Sequence, residues 1–142
     1  PNNLLKLDLG YNKITSILCP NNLQELYLDH NSITSIPNNL PNSLLKLVLN
    51  DNKIKWIIKK LPNKLQKIYL NNNEIKYLIY DLPNTLQELH LDNNRIEVLP
   101  NNFPASLKKL SIFGNRNIQF SPNNIIEMKY NREDNYTLSR RK

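Results

Sequence analysis

Residues 65–78 read LQKIYLNNNEIKYL, residues 86–99 read LQELHLDNNRIEVL, and residues 44–57, LLKLVLNDNKIKWI, repeat the same pattern. Working outward from these, an aliphatic residue opens a block at Leu4, Leu23, Leu44, Leu65, Leu86, Leu107 and Ile125. A proline stands three residues before each opener, at Pro1, Pro20, Pro41, Pro62, Pro83, Pro104 and Pro122. Four of the six spacings are 21 residues, a period that means one structural unit per copy. Such units stack on their neighbours and do not surround a single active site. Binding is therefore the first expectation, ahead of catalysis.

Each copy follows L-x-x-L-x-L-x-x-N-x-I-x-x-I, which in the second copy is Leu23, Leu26, Leu28, Asn31, Ile33 and Ile36. Between the second and third leucines apolar and polar residues alternate, which predicts a short strand. Stacked one per copy, these strands make a parallel sheet with about 4.8 Å between neighbours, leucines inward. Asn12, Asn31, Asn52, Asn73, Asn94 and Asn115 recur at one inward position. An amide there has both donors and an acceptor to satisfy, and it can tie its own turn to the backbone of the next copy. All six are expected to be buried. The return half of each copy is short and proline-rich, as in Pro37 and Pro41 between Ile36 and Leu44. Proline fixes φ and donates nothing, so no helix of normal length fits.

The pattern resembles that of leucine-rich repeat proteins over essentially the whole chain. The stretch IPNNLPNSL at 36–44 is similar to the short bacterial-type repeat of type III secretion effectors, and to Pro-Asn repeats of amoebae and giant viruses. The resemblance implies an α/β-type leucine-rich repeat solenoid, a right-handed superhelix with a curved parallel sheet on its concave side. The convex side would hold short extended, polyproline or 3₁₀ segments. It also implies an asparagine-ladder role for the six asparagines, and an amoebal or viral source. Residues 1–133 are read as the solenoid: six full copies, then a degenerate seventh (Ile125-x-x-Met128-x-Tyr130) in which Glu133 replaces the ladder asparagine. Residues 134–142 are read as a polar tail. The first copy has no cap, which predicts that further residues precede it. Bacterial effectors with similar repeats carry a separate ubiquitin-ligase domain, which nothing in this chain can supply. A recognition part of a larger protein is thus one alternative.

The outward strand positions define three columns. The middle one is Asp8, Tyr27, Val48, Tyr69, His90 and Ser111. One flank is Lys6, Glu25, Lys46, Lys67, Glu88 and Lys109; the other is Gly10, Asp29, Asn50, Asn71, Asp92 and Phe113. These change chemistry from copy to copy while the framework does not, and aromatic residues on an exposed sheet suit contact residues. The expected function is a non-catalytic module that binds a protein or peptide on this face through Glu25, Tyr27, Asp29, Lys46, Val48, Asn50, Lys67, Tyr69, Asn71, Glu88, His90 and Asp92.

The net charge of +7 raises nucleic acid as a competing partner. The concave columns, however, sum to −1 by formal charge, so the excess lies elsewhere. A second patch is Lys55, Trp56, Lys59, Lys60, Lys64, Lys76 and Tyr77, suited to nonspecific, salt-dependent binding of nucleic acid or another anionic surface. Only Gly10 and Gly114 are glycines, which excludes Gly-rich phosphate loops. The single cysteine, Cys19, holds an aliphatic slot and is expected in the core. With no disulfide framework the chain fits a reducing, intracellular compartment, the cytoplasm of its own cell or of a host. No metal-ligand spacing or nucleophile–base pair is evident, so no cofactor, metal or catalytic residue is expected.

Overall fold

The computed structural model describes residues 3–58, 60–78, 81–100 and 102–119, and the backbone of two strands near the C-terminus. The strands are β1 (Lys6–Asp8), β2 (Glu25–Tyr27), β3 (Lys46–Val48), β4 (Trp56–Ile57), β5 (Lys67–Tyr69), β6 (Tyr77–Leu78), β7 (Glu88–His90), β8 (Lys109–Ser111), β9 (Ile126–Asn131) and β10 (Asn135–Arg140). Six of them form one sheet in the order β1-β2-β3-β5-β7-β8, every pair parallel. The register keeps equivalent residues side by side: Leu26 faces Leu47, Leu47 faces Ile68, and Ile68 faces Leu89. This is the coil-per-repeat β-solenoid that the 21-residue period demands. Among the described residues none is helical, so the return side takes the extended form and not a helical one.

The core is a set of columns, one residue per coil. Leu26, Leu47, Ile68, Leu89 and Leu110 are fully buried, as are Leu28, Leu49, Leu70 and Leu91. Each such side chain contributes about 1.5–3 kcal/mol relative to exposure, which is what holds so short a strand in place. Cys19 is buried within this core, and burial pushes its thiol pKa up. In the first coil Leu4, Leu7, Leu9, Ile14 and Ile17 are only partly covered.

The recurring proline closes a turn. The carbonyls of Pro41, Pro62, Pro83 and Pro104 accept from the N–H of Leu44, Leu65, Leu86 and Leu107 at 3.0–3.1 Å. Beside the opener, Ser43, Thr85 and Ser106 donate their hydroxyls to Leu23, Leu65 and Leu86 carbonyls of the preceding coil at 2.7–2.8 Å. On the return side β4 and β6 form a small parallel pair, Trp56 beside Tyr77.

The asparagine ladder runs opposite to the expected direction. Asn31, Asn52, Asn73, Asn94 and Asn115 each accept from an N–H of the preceding coil, those of Ile14, Ile33, Ile54, Ile75 and Ile96, at 2.9–3.0 Å. Their amide groups donate back to Leu9, Leu28, Leu49, Leu70 and Leu91 at 2.8–3.0 Å. Four of the asparagines are buried, but Asn115 is half-buried and Asn12 is exposed. Asn12 reaches only Leu9 and Gly10 of its own coil, because no described coil lies before it. Just ahead of the ladder position, Tyr11, His30, Asp51, Asn72, Asn93 and Gly114 all have φ between 53° and 74°. That left-handed conformation favours glycine, Asn and Asp, and it turns the chain out of each strand.

The C-terminal segment departs from the repeat. Residues Ile126–Asn131 take a strand, as the pattern predicts, but they pair antiparallel with Asn135–Arg140. Most of the stretch read as a polar tail is thus strand β10, which runs beside β8. Doubling back pairs the backbone groups of Ile126–Asn131 within the hairpin itself. Glu133 lies outside the described residues.

Candidate functional site

The strands place their middle residues in a row across the sheet, with register partners Asp8–Tyr27, Tyr27–Val48, Val48–Tyr69, Tyr69–His90 and His90–Ser111. The Tyr69 and His90 rings stack at 4.4 Å between centroids, 11° from parallel. Glu88 sits under them. It accepts from the Tyr69 hydroxyl at 3.2 Å, lies 3.2 Å from His90 Nε2 and 3.0 Å from Lys67 Nζ. Burial opposes its charge, but the hydrogen bonds from Lys67, His90 and Tyr69 win and hold its carboxyl at about 2. One coil group away, Tyr27 donates to Glu25 at 2.7 Å, and Lys6 pairs with Glu25 at 3.7 Å. That hydroxyl holds the Glu25 carboxyl below its ordinary value.

Lys46 joins the two clusters. Its Nζ lies 5.0 Å from the Tyr27 ring centroid and 5.6 Å from that of Tyr69, the two residues that flank Val48 in the register. A hydrogen bond to Tyr27 raises its pKa, which burial opposes. The expected contact set is therefore brought together, with two refinements. Val48, between Tyr27 and Tyr69 in the register, and His90, stacked on Tyr69, are each only 9% exposed, so they support the surface more than they present it. The second refinement concerns the flank read as contact residues. Asn50 accepts from the Asn71 N–H, and Asn71 from the Asp92 N–H, both at 2.8 Å. Asp92 accepts from the Phe113 N–H at 2.7 Å and from the Ser111 hydroxyl at 2.6 Å. These oxygens form a second ladder along the sheet. Its sequence signal was the run of Asn and Asp at one outward position, which surface polarity alone also explains.

The second patch is divided. Trp56 and Tyr77 are side by side and each 43% exposed. Lys55 and Lys76 flank them, but Lys76 pairs with Glu97 at 3.7 Å, and Tyr77 donates to Glu97 at 3.2 Å. Lys60 lines shallow grooves between return loops, one of them beside Asp81, and Lys64 is exposed in the Pro62 turn. Lys59 lies outside the described residues. Elsewhere, His30 stacks on Tyr11 at 4.1 Å and lies 3.4 Å from Asp51. Among the described residues no three metal-binding side chains converge, and no helix is long and apolar enough to cross a membrane.

Models of the leucine-rich repeat match residues 22–43 and 85–105, and a second leucine-rich repeat model matches residues 1–17. With one parallel strand per coil and an asparagine ladder, the chain carries leucine-rich repeats and has the leucine-rich repeat fold. No curated protein matches it in sequence. Among solved structures it is similar to the functional domain of InlJ from Listeria monocytogenes (23% identity, 87% of this chain and 28% of that one, TM-score 0.73). It is also similar to a Shigella effector leucine-rich repeat domain, at 27% identity over 91% of this chain and 66% of that one, TM-score 0.71. TLR13 in complex with ssRNA13 matches at 29% identity over 80% of this chain and 19% of that one, TM-score 0.63. The chain thus spans only part of each of these proteins.

Proposed function

We propose that this chain is a non-catalytic interaction module that binds a protein or peptide on the outward face of its six-stranded sheet. The observation that carries the reading is the joined cluster of Tyr27, Lys46, Tyr69, Glu88 and His90. Two half-buried tyrosines are fixed by stacking, cation–π contacts and hydrogen bonds before any partner arrives. Rigid amphipathic aromatics supply contact area at little cost in side-chain entropy, which is the chemistry of interface hot spots. On this face His90 is stacked on Tyr69 and bound to Glu88, which commits both groups to the cluster. Sheet dimensions give a flat projection on the order of 350 Å², against about 800 Å² per partner in a standard interface. Flanking loops, or coils outside this chain, therefore take part in any tight complex. Activity of a larger protein would reside in another domain.

A competing reading places nucleic acid against Trp56 and Tyr77. It is favoured by their exposure beside Lys55 and by the similar protein solved with ssRNA. The test is capture from a host lysate on immobilised protein, with and without nuclease. The partner should be lost in the Tyr27→Ala/Tyr69→Ala variant and change little between 50 and 300 mM salt. A partner that survives that variant, but is lost with nuclease or on neutralising Lys55, Lys60, Lys64 and Lys76, establishes the competing reading instead.

A further inference from the structure

The acidic and basic side chains of the outward face are sorted by coil. Carboxylates occupy the first, second and fifth coils, as Asp8, as Glu25 and Asp29, and as Glu88 and Asp92. The third and fourth coils carry none at their outward positions, only Lys46, Val48 and Asn50, then Lys67, Tyr69 and Asn71. Lys67 is matched by Glu88 at 3.0 Å and Lys6 by Glu25 at 3.7 Å. Among the described residues no carboxylate comes within 4.0 Å of the Lys46 ammonium, which lies near two aromatic rings and feels Glu25 only at longer range. Ring faces and one phenol leave an ammonium with donors that carry no charged acceptor.

The amides reinforce this. A backbone N–H can only donate, so the Asn71 and Asp92 N–H groups fix the side-chain oxygens of Asn50 and Asn71 toward the sheet. Their NH2 groups are then the ends left for an incoming acceptor. Positions 46 and 50 stand about 13 Å apart along the strand direction at roughly 3.3 Å per residue. The centre of the face is therefore a surface of donors and positive charge, bordered on both sides by carboxylates.

We infer that Lys46, in the notch between Tyr27 and Tyr69, anchors a carboxylate of the partner, an Asp or Glu side chain in an extended segment laid along the strands over the third and fourth coils. This rests on the proposed use of the face and adds the chemistry of its ligand. The ammonium is already positioned and partly desolvated, so a carboxylate meets a charge-assisted donor with little rearrangement. The Asn50 and Asn71 amides meet a second acceptor about four extended residues further along. The bordering carboxylates repel longer acidic runs, which favours one or two acids flanked by neutral or basic residues over a polyacid.

The probe is a phage-displayed library of random 12-residue peptides, selected on the intact chain and counter-selected on the Tyr27→Ala/Tyr69→Ala variant. Selected peptides should be enriched in Asp or Glu at one central position. Affinity, read by fluorescence anisotropy, should fall at least tenfold when that acid becomes Gln or when Lys46 becomes Met, with little further loss when both are changed. Lys46→Arg should retain binding within a few-fold, and circular dichroism should show each variant folded. Tyrosine-dependent peptides with no acidic preference, or binding unchanged in Lys46→Met, overturn the carboxylate inference while the interaction reading stands. If no selected peptide depends on Tyr27 and Tyr69, both fall. A 20-nucleotide poly-dT strand that binds more tightly than every peptide, and loses that binding in Lys46→Met, assigns the ammonium to phosphate and overturns the inference as well.

Discussion

Replacing Asn73 by alanine tests how the coils are held together. Its side-chain oxygen is the acceptor for the buried Ile54 N–H at 3.0 Å, and its NH2 serves the carbonyls of Leu49 at 2.9 Å and Leu70 at 3.1 Å. The two carbonyls have second partners: Asn52 donates to Leu49 at 3.2 Å and Asn94 to Leu70 at 2.8 Å. Only the Ile54 N–H is wholly orphaned, and one buried unpaired donor costs about 1–3 kcal/mol. Adding the two weakened carbonyls at a fraction of that each gives a loss of about 2–4 kcal/mol. Asn12→Ala is the matched control: the same residue at the same place in its coil, but exposed and bonded only within that coil. It should cost no more than about 0.5 kcal/mol. Urea unfolding of both variants reads the difference as a shift in midpoint at constant slope. Equal losses, or a loss below about 0.5 kcal/mol for Asn73→Ala, would refute the coil-to-coil account of the ladder.

Glu88, held at about 2 against an ordinary 4.5, binds its proton less readily in the folded state than in the unfolded one. Its contribution to stability is complete above its unfolded value and is lost as pH falls through about 2. A carboxyl NMR titration should place its midpoint there and show it rising in Lys67→Met; a midpoint near 4.5 in the unaltered protein would contradict the cluster described. Gly114→Ala should cost about 1–3 kcal/mol, because φ is +74° and an added Cβ would run into the Asn93 side-chain oxygen. Gly10→Ala, which meets only the Asp29 carboxylate at 3.1 Å, should cost less, and thermal unfolding ranks the two.

The six parallel strands were legible because one pattern, two leucines around an outward residue, recurs at a fixed phase in every coil. The ladder asparagines were legible too, but not their direction, since an inward amide at a turn lies as near to one neighbouring coil as to the other. Asn50 and Asn71 read as surface residues because a polar side chain on an outward strand position looks alike whether it meets water or the next N–H. The cover over Val48 depends on residues 21 positions away on either side, Tyr27 and Tyr69, and on the rotamer of Lys46. For Asn135–Arg140 the polarity that suggested a tail is compatible with a hairpin arm, and alternation does not distinguish parallel from antiparallel pairing.

From Asn31 onward, the ladder bonds that cross between coils run to the preceding coil and to no other. Tandem duplication or loss of a complete coil in the gene would therefore leave each asparagine with its two partners intact, lengthening or shortening the sheet by one strand spacing. A single inserted codon within the strand-to-ladder stretch would instead put the following leucine of that coil on the wrong face. The proline-rich return is the place that tolerates length change, as the 19 residues from Leu4 to Leu23 show beside the usual 21. Such a molecule is edited in whole units, and the chemistry of its outward face can be rewritten one coil at a time without disturbing the rest.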